Sequence, residues 1–238
     1  MISVTVFLIR EFAIASSAFR QPFYVFIFIF TVSFNIAVSI SAVAYSGLLS
    51  ADGEVVFYLI VLRYYTLVVG AWNTAVCFNR VTAIVFPLKY SKMWTRTSTS
   101  FLIFAFLAYP FAFQIPFLLN DCWFSMLTKS CVEYQVLHMY IVAVSVIVNA
   151  LLGMFLIIIA LGIARYNGKM ASQALEIKLI LQTLATSIML LCVGVTKMIS
   201  MQKFYEGNMS LHQLLALIGS IFLALYSHVV IGGLFLAR

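Results

Sequence analysis

The 238 residues are 64% hydrophobic and only 9% charged, with a formal net charge of +7 and a mean hydropathy of +1.11; soluble domains carry about 25% charged residues. A chain so poor in polar groups cannot cover an aqueous surface, which excludes a soluble fold. Its positive charge is spread over short segments beside apolar runs, where it sets topology and meets anionic lipid, so nucleic acid is not an expected partner.

From the N-terminus, Met1 to Ile9 is apolar but would rise only about 13 Å as a helix. It lacks the basic start and small-residue cleavage site of a signal peptide, and it reads as the inner stub of a truncated first helix. Six longer windows follow at 23–49, 55–79, 98–119, 136–164, 174–199 and 211–237. Each suits a hydrocarbon core of about 30 Å, which takes roughly 20 helical residues. Barrel strands would alternate over about 10 residues rather than run continuously apolar. The expected fold is an all-α membrane protein: one domain, a seven-transmembrane-type helix bundle of six complete spans plus the stub.

The segments 10–22, 80–97 and 165–173, with the adjoining helix ends and Arg238, hold ten Lys or Arg against Glu11 and Glu176. The opposite set holds Lys129, Lys197 and Lys203 against five acids. Cytoplasmic loops carry the Lys/Arg excess, so the first set is expected in the cytosol of a multi-pass plasma-membrane protein. On the other side Cys122 and Cys131 share one long loop, where an oxidising compartment permits a disulfide. Asn208-Met209-Ser210 is an N-x-S glycosylation acceptor on that same side.

The most informative window is 55–79. On a helical wheel Thr66, Gly70, Asn73, Cys77 and Arg80 fall within about 100° of Arg63, and an arc this polar must face the bundle interior. Arg63 either holds an anionic group of a ligand, or snorkels, or pairs with Glu133 or Asp121. With Thr66, Gly70 and Asn73 it is a candidate to line a ligand cavity. Lys197 either adds a second positive charge there or marks the water interface. Asn35, Asn149, Gln182, Thr186 and His228 read as interhelical hydrogen-bonding groups.

At the basic end the chain reads Asn79-Arg80, then Phe86-Pro87-Leu88-Lys89-Tyr90, then Lys92 and Trp94. Physically this is a helix end, a proline stop and a cationic aromatic loop. Such residues either anchor a helix at the interface or present a surface to a cytosolic partner. The stretch resembles the nematode serpentine chemoreceptors, class gamma and relatives such as class V. In that superfamily an Asn-Arg pair with a downstream Pro, Tyr and Trp stands where many G-protein-coupled receptors have an acidic-Arg-aromatic triplet. The resemblance implies a receptor that binds a small molecule from outside and signals to a heterotrimeric G protein. Asn79, Arg80, Lys89, Tyr90, Lys92 and Trp94 would then face that protein.

No acidic residue precedes Arg80, and the last window has Tyr226-Ser227-His228 in place of an Asn-Pro-x-x-Tyr, so a rhodopsin-type ionic lock is not implied. The three histidines show no metal-ligand spacing, no cofactor is expected, and no enzyme motif is present. A transporter or channel is the rival reading, but internal symmetry and intramembrane acids, its usual marks, are not visible.

Overall fold

A computed structural model describes residues 25, 28–33, 36, 51–118, 129–166 and 174–236; at 51–63, 114–118, 129–130, 135, 174–177, 179 and 231–236 only the backbone is described. The elements are α1 (Ala51–Val85), the four-residue α2 (Tyr90–Met93), α3 (Arg96–Leu118), α4 (Lys129–Tyr166), α5 (Ala174–Tyr205) and α6 (Met209–Leu236). Residues 28–33 are helical too, and no strand occurs among the described residues. Tyr64–Val85, Cys131–Tyr166, Ile180–Tyr205 and Met209–Val230 are each long and apolar enough to cross a membrane. The all-α membrane bundle expected from the sequence is the observed class. The stub, most of window 23–49 and the loop holding Cys122 lie outside the described residues.

Contacts between helices fix the order of packing. Thr74 meets Asn149, and Gly70 lies against Val146, so α1 and α4 run parallel. Asn73 meets Ser187 while Thr66, higher on α1, meets Lys197, so α1 and α5 run antiparallel. Tyr64 donates to the carbonyl of Leu107 on α3 at 2.7 Å. Phe30 stacks against Tyr65 and Tyr226 with ring centroids 6.4 and 5.7 Å apart, which ties 28–33 to both α1 and α6. α1 is thus enclosed: 78% of its apolar window is buried, against 28% for α4, 33% for α5 and 22% for α6. The outward faces of those three carry Leu, Ile, Val and Phe, as a lipid-facing surface requires.

Three glycines mark helix crossings. A Cβ at Gly194 on α5 would stand 2.6 Å from Ile147 Cγ1 and 3.3 Å from the Ala143 carbonyl on α4. One at Gly153 on α4 would stand 2.9 Å from Asn73 Nδ2 and 3.1 Å from Ser187 Oγ, and one at Gly219 on α6 3.0 Å from Thr196 Oγ1.

Helix ends depart from the sequence windows because apolarity stops at the hydrocarbon edge while a helix continues until something breaks it. α1 runs past residue 79 to Val85, two residues before Pro87, whose ring disfavours helix at the residue it follows. α4 begins at Lys129, so the loop expected at 120–135 loses its last seven residues to the helix. α5 ends at Tyr205, and Gly207 takes φ +78°. Gly207 N–H donates to the Phe204 carbonyl and Asn208 N–H to the Lys203 carbonyl, a Schellman closure. Asn208 Oδ1 then accepts from Leu211 N–H at 3.2 Å and caps α6. The loop expected at 200–210 is therefore only 206–208.

Gly194→Ala should lower thermal stability in detergent by roughly 1–3 kcal/mol through overpacking. Gly162→Ala, which meets nothing within 4 Å, should be neutral or raise it by roughly 0.5–1 kcal/mol. Equal effects would show that α4 and α5 do not cross at Gly194. Asn208→Ala should cost about 1 kcal/mol and Asn208→Asp far less, because the aspartate keeps the capping oxygen.

Candidate functional site

At mid-height Asn73 and its neighbour Thr74 join α1 to α5 and α4. Its Nδ2 donates to Ser187 Oγ at 2.8 Å, and its Oδ1 accepts from Thr186 Oγ1 at 3.2 Å. Cys77 Sγ lies 3.7 Å from Ser187 Oγ, and both hydroxyls of α5 also donate to the Thr183 carbonyl. One residue on, Thr74 donates to Asn149 Oδ1 at 2.8 Å, and Asn149 Nδ2 donates to the Ser145 carbonyl. Ser145 in turn bonds Tyr109 of α3. Gln182 Nε2 donates to the Val229 carbonyl at 2.7 Å, which fastens α5 to the backbone of α6. Polar side chains inside hydrocarbon must find partners in the protein, and these find them between α1 and α5, α1 and α4, α3 and α4, and α5 and α6.

Beside Asn73 lies a cavity of about 20 Å³, bordered by Trp72, Thr183, Thr186, Gln182 and Tyr226. A single water needs roughly 10–15 Å³, so this space admits water and not an organic ligand. Of the expected ligand-lining residues, Thr66, Gly70 and Asn73 face inward and are buried against α4 or α5, with no ligand-sized void beside them among the described residues. An inward polar arc is filled by neighbouring side chains wherever these can bond it. The side chain of Arg63 lies outside the described residues. Lys197, weighed mainly as an interface residue, instead reaches inward and donates to Thr66 Oγ1 at 2.8 Å.

At the basic end the Asn-Arg stretch folds back on itself. Asn79 Nδ2 donates to Tyr90 Oη at 3.0 Å, and Trp94 Nε1 donates to Thr82 Oγ1 at 2.8 Å. The Trp94 ring lies 6.0 Å from that of Phe78. Asn79, Arg80 and Trp94 are 0%, 3% and 7% exposed. Of the expected partner-facing set, Asn79, Arg80 and Trp94 are buried within the protein, and Tyr90 is half-buried with its hydroxyl on Asn79. Lys89 and Lys92 remain exposed, joined by Leu88 at 92% exposure, which the sequence reading passed over. The paired spacings, Asn79 with Thr82 and Tyr90 with Trp94, were the available signal: each puts two partners on one helical face.

The opposite end differs in chemistry. Cys131 is disulfide-bonded, Cys77 and Cys192 carry free thiols, and Cys122 lies outside the described residues. Between the ends of α4 and α5 a groove of about 450 Å³ is lined by Glu133, Val136, Leu137, Tyr140, Gln202, Tyr205 and Glu206. Lys203 bonds Glu206 and, by that bond above all, holds its carboxyl below the ordinary range. No group of three or more potential metal ligands occurs among the described residues.

A bundle of apolar helices cross-linked at mid-height by neutral polar groups, with exposed cations at one end, defines a multi-pass helical membrane protein. Residues 52–227 match the model of the Srg family chemoreceptors, and the chain belongs to that family. The resemblance carried by the Asn79 to Trp94 stretch is thereby confirmed at the level of the Srg family. Neither a curated protein nor a solved structure matches the chain.

Trp94→Phe should cost about 1 kcal/mol, because it removes the indole donor to Thr82. Asn79→Ala and Tyr90→Phe should be non-additive by about 1 kcal/mol in a double-mutant cycle of thermal unfolding. Strict additivity would mean that the amide–phenol bond is not made.

Proposed function

We propose that the chain is a chemosensory receptor of the plasma membrane: a small molecule arriving from outside biases the packing of the bundle, and a heterotrimeric G protein reads the change from the cytosol. The observation that carries this reading is the family match over 52–227. The exposed cations Lys89, Lys92, Arg96, Arg165 and Lys178 all belong to the end formed by Val85, Tyr166 and Ala174, which by the positive-inside rule is the cytosolic one. Cys131, Glu206 and Asn208 then face outward. Cys122 is the cysteine left to pair with Cys131, and Asn208 is an acceptor for a glycan, its Oδ1 committed to the cap.

In this reading Asn73 is the relay. It is bonded to two hydroxyls of α5 and sits beside the cavity where α5 and α6 meet, so displacement of α5 must rearrange its hydrogen bonds. A bistable packing of this kind is the usual substrate of a two-state switch. The G protein would meet Leu88, Lys89 and Lys92 rather than the buried Asn79, Arg80 and Trp94, whose part is to hold the turn in shape.

Cells expressing the chain at the surface should show ligand-evoked G-protein activation. Leu88→Ala with Lys89→Ala and Lys92→Ala should lower that response at least severalfold without lowering surface delivery. Solute flux with no G-protein response, in chain that reaches the surface, would place it among transporters instead.

A further inference from the structure

Between α4 and α5 the described residues enclose a groove of ligand size. Pockets for small molecules typically run from about 300 to 1,000 Å³, apolar in the main with a few polar groups that fix orientation. This groove, about 450 Å³, fits that size. Val136, 7% exposed, lies at its base, and Leu137 adds an apolar edge. Tyr140 from α4 and Tyr205 from α5 contribute aromatic rings on both sides. Two carboxylates, Glu133 and Glu206, line it, and its charged lining is wholly acidic.

Their chemistry differs in a useful way. Glu206 is already bonded by Lys203 and Gln202. Glu133 is exposed and makes no ion pair or hydrogen bond among the described residues. One engaged and one available carboxylate, with two phenol rings and an apolar base, complement a positive charge on an apolar body. Cations are held over aromatic faces by the ring quadrupole and drawn by nearby acid.

We infer that the groove between α4 and α5 is a binding site for a small organic ammonium ion arriving from the aqueous phase. The inference rests on the receptor reading only for its outward orientation. Its occupant would touch both helices at once, and through α5 it would act on the Asn73 hydrogen bonds.

The test uses full-length chain in maltoside micelles and benzyltrimethylammonium as probe, followed by saturation-transfer NMR. Saturable binding is expected, with none of the anion benzenesulfonate. Glu133→Gln should weaken it about fivefold, Tyr140→Leu should weaken it as well, and both positions are accessible enough to leave folding intact. Equal binding of both probes, or unchanged binding in Glu133→Gln with Glu206→Gln, overturns the site. Binding abolished on transfer to phosphatidylcholine nanodiscs overturns it too, since a lipid headgroup would then be the occupant. These readouts do not involve the G protein. A ligand-evoked response indifferent to Glu133 and Tyr140 would remove the groove and leave the receptor standing, whereas binding without any response would do the reverse.

Discussion

A helix enclosed on every side has no lipid in which to dissolve its faces, so each residue it carries must be met by another helix. α1 is in that position, with the 28–33 segment, α3, α4, α5 and α6 all arranged about it or about its partners. Its apolar side is covered by Phe30, Tyr226 and Leu190, and its polar side by Ser187, Thr186 and Asn149. Lipid supplies no hydrophobic drive between helices, so close packing and interhelical hydrogen bonds must hold them. Gly153 makes the closest of these packings possible: any side chain there would stand where Asn73 and Ser187 meet.

The same constraint decides where a ligand can bind. Polar groups in the middle of the bundle are consumed in joining helices, and what space is left beside Asn73 is of water size. Room of ligand size lies instead near the ends of α4 and α5. Under the proposed function, recognition and transmission would be separated along the helix axis, with the polar centre responding to how α5 sits against α1 rather than touching the ligand.

Much of this architecture was legible in the chain, because a window of continuous apolarity has one solution in a bilayer. Windows 55–79, 136–164 and 174–199 each fall inside an observed helix, and residues 211–236 of the last window do too. Their ends were not legible, since Pro87 and Gly207, not the last apolar residue, terminate α1 and α5. The inward direction of Thr66, Gly70 and Asn73 was legible too. What they meet was not: Ser187 lies 114 residues beyond Asn73, and no local pattern tells whether a polar arc borders space or side chains. For Asn79 and Trp94 the difference had the opposite sense. Polarity near a helix end suggested a surface, whereas two local bonds made that surface interior.

The three-residue turn at 206–208 has a consequence for how the protein is made. A Schellman closure running directly into an asparagine cap leaves α5 and α6 no slack, so the two enter the bilayer as a hairpin whose pairing is set by the turn itself. Ser200 with His212, Thr196 beside Gly219 and Gln182 with Val229 then close in sequence from the turn downward. Each closure brings together residues already near in space, so little loop entropy is lost at any step. The last helical pair of the chain can thus assemble as a unit and dock onto α1 and α4, with Asn73 as the latch that records its arrival.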